Sequence, residues 1–275
     1  MNLGFVFTNY NSTRFTEELI ASLNAQDMPA KFPVVIVDNN SAPEHVNRLK
    51  KIKEEHENVH ILLNNVNLGY FKGLNVGIQY LKENLQETDH IVIGNNDLIF
   101  PENFNRILIG EEHLFKHYPV ISPNIITLDG EHQNPHVIKS VSKFREFIYD
   151  LYFTNYNLAI TIRKIAKITK RYTDRKDEKQ HEIAQTIYQG YGACYILGPL
   201  FFKNFSSLWA PSFLMNEEVF LSKQLESKNF KVFYDPAVIV KHQLHSSVGE
   251  VPDKKKWHIA RESHKEYRKY VKVWK

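Results

Sequence analysis

Val34-Val35-Ile36-Val37-Asp38 and Ile91-Val92-Ile93-Gly94 decide the fold. Each is a short run with apolar residues at consecutive positions, so a strand built from it needs cover on both faces. That is the pattern of a parallel sheet flanked by helices. Working outward, residues 3–8 read as a strand, 13–24 as a helix capped by Ser12 or Thr13, 34–38 as a strand and 42–57 as a polar-faced helix. Residues 59–63, 70–85 and 90–94 continue as strand, helix and strand, and the last of these runs into Asn95, Asn96 and Asp97. Strand and helix alternating in this way predict an α/β architecture.

Beyond residue 100 the rhythm loosens. Residues 120–127 read as a further strand, and about 139–187 as a basic, aromatic-rich helical insertion. After it, 190–197 read as a strand punctuated by glycine, 216–227 as a helix, and 230–234 and 237–241 as strands. The division expected is a main domain over 1–249 and a basic aromatic helical tail over 250–275, whose intermittent apolar stripe is Ile259, Tyr267, Tyr270, Val271 and Trp274.

The 275 residues, 43% hydrophobic and 24% charged, suffice for a sizeable core and exclude a disordered chain. The one cysteine, Cys194, excludes an internal disulfide and a cysteine zinc cluster, so a reducing, cytoplasmic setting is expected. No run of 18 apolar residues and no basic-then-apolar leader is present, so neither a spanning helix nor a signal peptide is expected. Net charge is +4, unevenly placed: residues 139–179 hold eleven Lys/Arg against five Asp/Glu, and 250–275 hold nine against four. These basic segments suit an anionic partner such as a membrane surface, where each clustered Lys or Arg contributes about 1 kcal/mol; solvated helix faces, or aromatics packed on the body, account for them equally. They carry no motif that reads DNA or RNA, so no nucleic-acid partner is expected.

In an open parallel sheet, ligands bind beyond the carboxyl ends of the strands. Asp38 ends the second strand, and Asp97 follows the fourth by three residues. A carboxylate in such a place accepts hydrogen bonds from a base or ribose, or holds a divalent cation against a diphosphate; singly, each is equally a turn former. The turn after strand one, Thr8-Asn9-Tyr10-Asn11-Ser12, contains no glycine, which argues against a Rossmann dehydrogenase and a nucleotidyltransferase. The absence of Gly-Lys-Ser/Thr argues against a P-loop ATPase.

Thr8-Asn9-Tyr10-Asn11-Ser12, then residues 34–41, then Asn67-Leu68-Gly69-Tyr70-Phe71-Lys72-Gly73-Leu74-Asn75-Val76-Gly77, then Asn95-Asn96-Asp97 together resemble the inverting glycosyltransferases of family 2, including rhamnosyltransferase-like enzymes of surface polysaccharide assembly. Gly190-Tyr191-Gly192-Ala193-Cys194, Met215-Asn216-Glu217-Glu218 and residues 236–242 continue the resemblance in the same order. It implies a GT-A fold: a Rossmann-like, mostly parallel central sheet flanked by helices. It implies that Thr8, Asn9, Asn11, Asp38, Asn67, Gly69, Lys72, Asn75, Asn95 and Asn96 bind a nucleotide-sugar donor, with UDP- or dTDP-sugars first in line. Asn95-Asn96-Asp97 resembles the D-x-D cation site without its first acid, so Asp97 and His242 are the implied ligands for Mn²⁺ or Mg²⁺. Glu218, or failing it Glu217, is the implied base for the acceptor hydroxyl. The Gln-x-x-Arg-Trp pattern of processive relatives is absent, with Lys223 and Gln224 standing after the acids, so transfer of a single sugar is expected. The acceptor expected is a glycan or lipid-linked glycan at the inner face of a bacterial membrane. The alternative is a catalytically inactive nucleotide-sugar or glycan-binding subunit, suggested by Asn95 in place of an acid.

Overall fold

The structure is a computed structural model that describes every residue except 29–30, 86, 174–175, 244–253 and 273–275, with the side chains of 168–173 also excepted. Its first half follows the alternation read from the sequence: β1 (Leu3–Asn9), α1 (Thr13–Asn24), β2 (Val34–Asp38), α2 (Pro43–Glu55), β3 (Val59–Leu63), α3 (Tyr70–Asn84) and β4 (His90–Asn95). These four strands lie side by side in the order β3-β2-β1-β4, all parallel, with Asn9 level with Asp38 and Thr8 level with Asn95. Alternate residues bury in opposite directions. Phe5, Phe7, Val34, Ile36 and Val92 enter one apolar cluster with Leu19, Ile20 and Leu49 of α1 and α2, while Val6, Val35, Val37, Ile91 and Ile93 enter another with Leu74, Ile78 and Leu81 of α3. Each fully buried side chain of this kind stabilises the fold by about 1.5–3 kcal/mol, which is why the strands read as unbroken apolar runs. On the α3 side the helix lies so close that a Cβ on Gly77 would fall 2.3 Å from Val6 Cγ1.

The second half comprises β5 (Leu98–Ile99), α4 (Phe104–Gly110), β6 (Val120–Thr127), α5 (Lys143–Thr154), α6 (Tyr156–Thr173), β7 (Gln185–Ile187), β8 (Cys194–Leu197), α7 (Pro199–Asn204), α8 (Glu217–Glu226), β9 (Val232–His242) and α9 (Lys254–Tyr267). Here antiparallel strands join the parallel ones. β8 runs antiparallel to both β4 and β6, β9 runs parallel to β6, and β5 and β7 pair antiparallel with the two ends of β9. Two antiparallel steps restore direction, so β6 and β9 point the same way as β1, β2 and β4. Their carboxyl ends, together with the start of β8, therefore share one edge of the sheet.

Four other details differ from the sequence reading. Residues 190–193 are loop rather than strand, because the buried Tyr195 hydroxyl folds back to donate to Gly190 O at 2.7 Å. The two strands expected across 230–241 are one, β9, whose register against β6 slips after Pro123 so that Asp235 pairs there but Ile239 pairs next. The insertion is a helical pair that ends in a short strand, β7, on β9. The tail helix runs from Lys254 to Tyr267, and Trp274 lies outside the described residues. Far from standing free, α9 buries Trp257 and Tyr267 against the body: Trp257 Nε1 donates to Tyr152 O at 3.3 Å, and the Tyr267 hydroxyl donates to Glu146. Among the described residues no helix is long and apolar enough to cross a membrane.

Candidate active site

The shared sheet edge gathers the residues that carry chemistry. β5 pairs with the end of β9, placing Leu98 opposite His242, and this brings Asp97 alongside: Asp97 Oδ1 lies 3.2 Å from His242 Nε2. Both side chains are largely withdrawn from solvent, yet Asp97 Oδ1 makes no hydrogen bond. A buried carboxylate oxygen left without a donor costs about 1–3 kcal/mol unless something else meets it. An oxygen and an imidazole nitrogen at this spacing match neighbouring ligands of an octahedral cation, which are about 3 Å apart when the bonds are ~2.1 Å. The donor pair therefore fits a divalent cation, although no group of three His, Cys, Asp or Glu side chains converges among the described residues.

The loop 190–193 lies beside this pair and is held from several sides. The Tyr70 hydroxyl donates to Gly192 O at 2.8 Å, Tyr191 N donates to Asn134 Oδ1 at 2.8 Å, and Asn95 N donates to Ala193 O at 3.0 Å. Gly192 N donates to Glu218 Oε1 at 3.2 Å, and a Cβ on Gly192 would lie 2.6 Å from that oxygen, so the glycine is what lets the carboxylate sit against the loop. Tyr191 stands between the two acidic centres. Its ring centroid is 6.0 Å from that of His242, and burial, followed by the Glu218 and Asp97 carboxylates, pushes its hydroxyl above the ordinary tyrosine range.

The two glutamates begin α8 after an unusual turn. Met215 and Asn216 both adopt left-handed backbone, with φ of 77° and 63°, and this turn aims the first residues of the helix at the sheet edge. Glu217 is buried and turned back, its Oε1 accepting from Met215 N at 2.9 Å, whereas Glu218 is half-buried and faces Gly192. Burial raises the carboxyl pKa of both, and for Glu217 the Glu218 charge adds to the effect. Of the pair, Glu218 is thus the carboxylate that faces the 190–193 loop.

The remaining expected residues divide into two sets. Thr8 and Asn95 are half-buried at the ends of β1 and β4, and Asn11 and Lys72 are exposed at the same edge, Asn11 with left-handed backbone. Asn67 Oδ1 accepts from Gly69 N at 2.9 Å, and Gly69, at φ 83°, starts α3 against Phe213 O, 1.8 Å from where a Cβ would stand. In the other set the polar ends are already spent inside the protein. Asp38, 1% exposed, accepts from Asn9 Nδ2 at 2.7 Å and from Ser41 Oγ and N at 2.5 and 2.9 Å. Asn9 Oδ1 takes bonds from Thr16 and Asn96, and Asn96 Nδ2 also donates to Ser12. Asn75 exchanges both amide ends with the Leu208 backbone at 2.8 Å, 133 residues away, so it staples the 205–210 segment where the sequence reading has it face the nucleotide. Asp38, Asn9 and Asn96 bind one another at the ends of β1, β2 and β4; Asp97 and His242 meet directly, and Glu218 is joined to them through the 190–193 loop, whose Tyr191 ring is 6.0 Å from that of His242.

Sequence reasoning missed Gln133, whose Oε1 lies 2.8 Å from His242 Nδ1, and the placing of Tyr191 between the acids. It also passed over Tyr10, which is 53% exposed next to Asn11. Gln133 follows the Leu128-Asp129-Gly130 turn after β6 and carries no local signal of a role, because its partner is 109 residues downstream.

Residues 5–111 match the family model of glycosyl transferase family 2. No curated protein matches the chain in sequence. Among solved structures, the chain is similar to GalNAc-T7 bound to UDP, GalNAc and Mn²⁺, with a TM-score of 0.59 at 12% identity, covering 89% of this chain and 44% of that one. It is similar to Staphylococcus aureus TarS, with a TM-score of 0.57 at 14% identity over 99% and 44% of the two chains. It is also similar to the mannosyltransferase PcManGT of Pyrobaculum calidifontis bound to GDP-Man and Mn²⁺, with a TM-score of 0.54 at 14% identity over 98% and 65%. The chain thus spans about half to two thirds of the length of these proteins. Its segment 5–111 is a glycosyl transferase family 2 match, and the molecule as a whole has the GT-A fold.

Proposed function

We propose that this protein is an inverting glycosyltransferase that moves one sugar from a nucleoside-diphosphate donor to a hydroxyl of a glycan or lipid-linked acceptor. The observation that carries the reading is that the loop whose Gly192 N holds the Glu218 carboxylate sets its Tyr191 ring 6.0 Å from that of His242, beside the Asp97–His242 pair. Thr8, Asn11, Lys72, Asn95 and the exposed Tyr10 ring line the edge where the donor would lie, and the Asp38–Asn9–Asn96 network keeps that edge rigid. UDP in GalNAc-T7 and GDP-Man in PcManGT both occupy this fold, which supports a nucleotide-sugar donor here.

Asp97 and His242 would hold Mn²⁺ or Mg²⁺, donor phosphate oxygens completing the coordination, and when bound the cation neutralises charge on the departing diphosphate. Glu218 takes the acceptor hydroxyl proton as that oxygen forms its bond to the anomeric carbon. The bond from that carbon to the phosphate oxygen breaks on the opposite face, its electron pair leaves with the nucleoside diphosphate, and configuration inverts. Burial keeps Glu218 more basic than a surface carboxylate, which brings it nearer the pKa a base needs at neutral pH. Tyr191, its hydroxyl kept protonated between the acids, is a donor available to the diphosphate.

The acceptor reading is a surface glycan of a bacterium, assembled at the cytoplasmic face of the membrane. Its support is α5 and α6, where Phe144 and Ile165 are 72% and 56% exposed and Lys143, Lys164 and Lys167 are exposed as well. The test is donor turnover by the purified chain with Mn²⁺ across UDP-, dTDP- and GDP-sugars. Glu218→Gln is expected to lower kcat by about 10²–10⁴-fold with donor affinity retained, and Asp97→Ala to weaken donor binding. Wild-type protein that binds a nucleotide sugar without turning it over would instead mark a binding subunit.

A further inference from the structure

One side chain outside the expected set determines which way the His242 lone pair points. Gln133 Oε1 lies 2.8 Å from His242 Nδ1, and the Gln133 amide is near enough to the Tyr191 hydroxyl to oppose part of the rise in its pKa. An amide has one accepting end and one donating end. With its oxygen on His242 and its NH₂ turned toward Tyr191, Gln133 accepts from a proton on Nδ1, and Nε2 then faces Asp97 Oδ1, 3.2 Å away, with a lone pair. The reverse orientation would put the proton on Nε2.

Gln133 is itself held. Its backbone N donates to Ile125 O at 2.9 Å, and His132 bridges to Ile126. The next residue, Asn134, is buried and donates to Ser122 Oγ and Pro123 O at 2.9 and 2.7 Å while accepting from Tyr191 N. A strand-anchored segment therefore grips the imidazole on one side and the 190–193 loop on the other.

We propose that Gln133 is a positioning residue that locks His242 in the Nδ1–H tautomer, turning Nε2 and Asp97 Oδ1 into a preformed two-atom cation cradle and aligning the Tyr191 hydroxyl with it. The cation half rests on the function proposed above; the tautomer half does not. A hydrogen bond to the far nitrogen of a ligating histidine typically changes metal affinity by about 10–100-fold. Gln133→Leu removes the acceptor for Nδ1 at nearly constant volume, whereas Gln133→Glu keeps one.

The experiment is ¹⁵N-histidine NMR of the full metal-free chain near neutral pH, with the His242 signals assigned by their loss in His242→Gln. It is paired with titration of Mn²⁺–UDP and Mn²⁺–GDP followed by water-proton relaxation. The expected result is an Nδ1–H tautomer in the wild type and in Gln133→Glu, a mixed population in Gln133→Leu, and Mn²⁺–nucleotide affinity about tenfold weaker in Gln133→Leu alone. An Nε2–H tautomer in the wild type overturns the inference, as does an unchanged affinity in Gln133→Leu. A wild type that binds neither Mn²⁺–nucleotide complex overturns the cation reading above and the cradle with it, while the tautomer result still stands or falls on its own.

Discussion

Two adjacent glutamates at the start of one helix make Glu217 and Glu218 interdependent. Burial and, for Glu217, the neighbouring charge raise both above the ordinary carboxylate range. A carboxyl whose folded pKa is raised lends its stability at low pH. That contribution is lost as pH climbs from the unfolded value, near 4.5, toward the folded one, because the unfolded chain gives up its proton first. Glu217→Gln removes one of the two charges, and its amide oxygen can still accept from Met215 N. The variant is therefore expected to be more stable than the wild type at pH 7–8, by on the order of 1 kcal/mol, with the difference vanishing near pH 4. If Glu218 is the base, the acidic limb of the rate profile stays in place, because burial and not the Glu217 charge raises the Glu218 carboxyl. Urea unfolding at several pH values and a pH–rate profile check both. A variant less stable than the wild type at pH 8 would show that Glu217 is held ionised by a partner.

The elements that present these acids are under strain, and a distant helix holds them. A non-glycine residue with left-handed backbone costs on the order of 1 kcal/mol, and here Met215 is followed directly by Asn216 in the same region. The turn persists because Ser263 of α9 donates to Met215 O at 2.6 Å and accepts from Asn216 Nδ2 at 3.0 Å, while Ser212 also donates to Met215 O. α9 is anchored in turn on α5, with His264 Nε2 and Asp150 Oδ1 2.8 Å apart and Arg261 Nε donating to Phe153 O at 2.9 Å. Ser263→Ala deletes both bonds to the turn. It is expected to cost about 1–2 kcal/mol of stability and, on the proposed function, to lower kcat roughly tenfold or more with donor KM little changed, because the proposed base moves while the proposed donor edge does not. Unfolding and steady-state kinetics on the same preparation test this, and an unchanged kcat would mean that the acids are placed by α8 alone.

At the level of the whole molecule, what the sequence makes legible is what local pattern encodes. The doubly apolar runs at 34–38 and 91–94 could only be covered strands, and the expected ligands Asp97 and His242 do meet, 3.2 Å apart. What it hides depends on long-range closure: the antiparallel steps at β8, the amide of Asn75 reaching Leu208, and Gln133 reaching His242. The two basic segments look alike in composition, yet the fold treats them differently. In α9, Trp257 and Tyr267 are 3% and 5% exposed and serve as core, whereas Phe144 and Ile165 of the α5–α6 pair stay outside beside exposed lysines. Binding to anionic vesicles, if it serves the proposed acceptor, should therefore follow α5–α6. Lys164→Ala with Lys167→Ala removes two charges worth about 1 kcal/mol each at such a surface, so partitioning onto phosphatidylglycerol-containing vesicles is expected to fall about 30-fold with fold stability unchanged. The same partitioning should weaken steeply between low salt and ~0.5 M, as the Debye length shrinks. Trp257→Ala should do the reverse, costing about 3–5 kcal/mol of stability while leaving the vesicle affinity of the folded fraction intact. Flotation and urea unfolding of the two variants side by side separate these roles, and vesicle binding lost with Trp257 but kept without the two lysines would assign the surface to the tail instead.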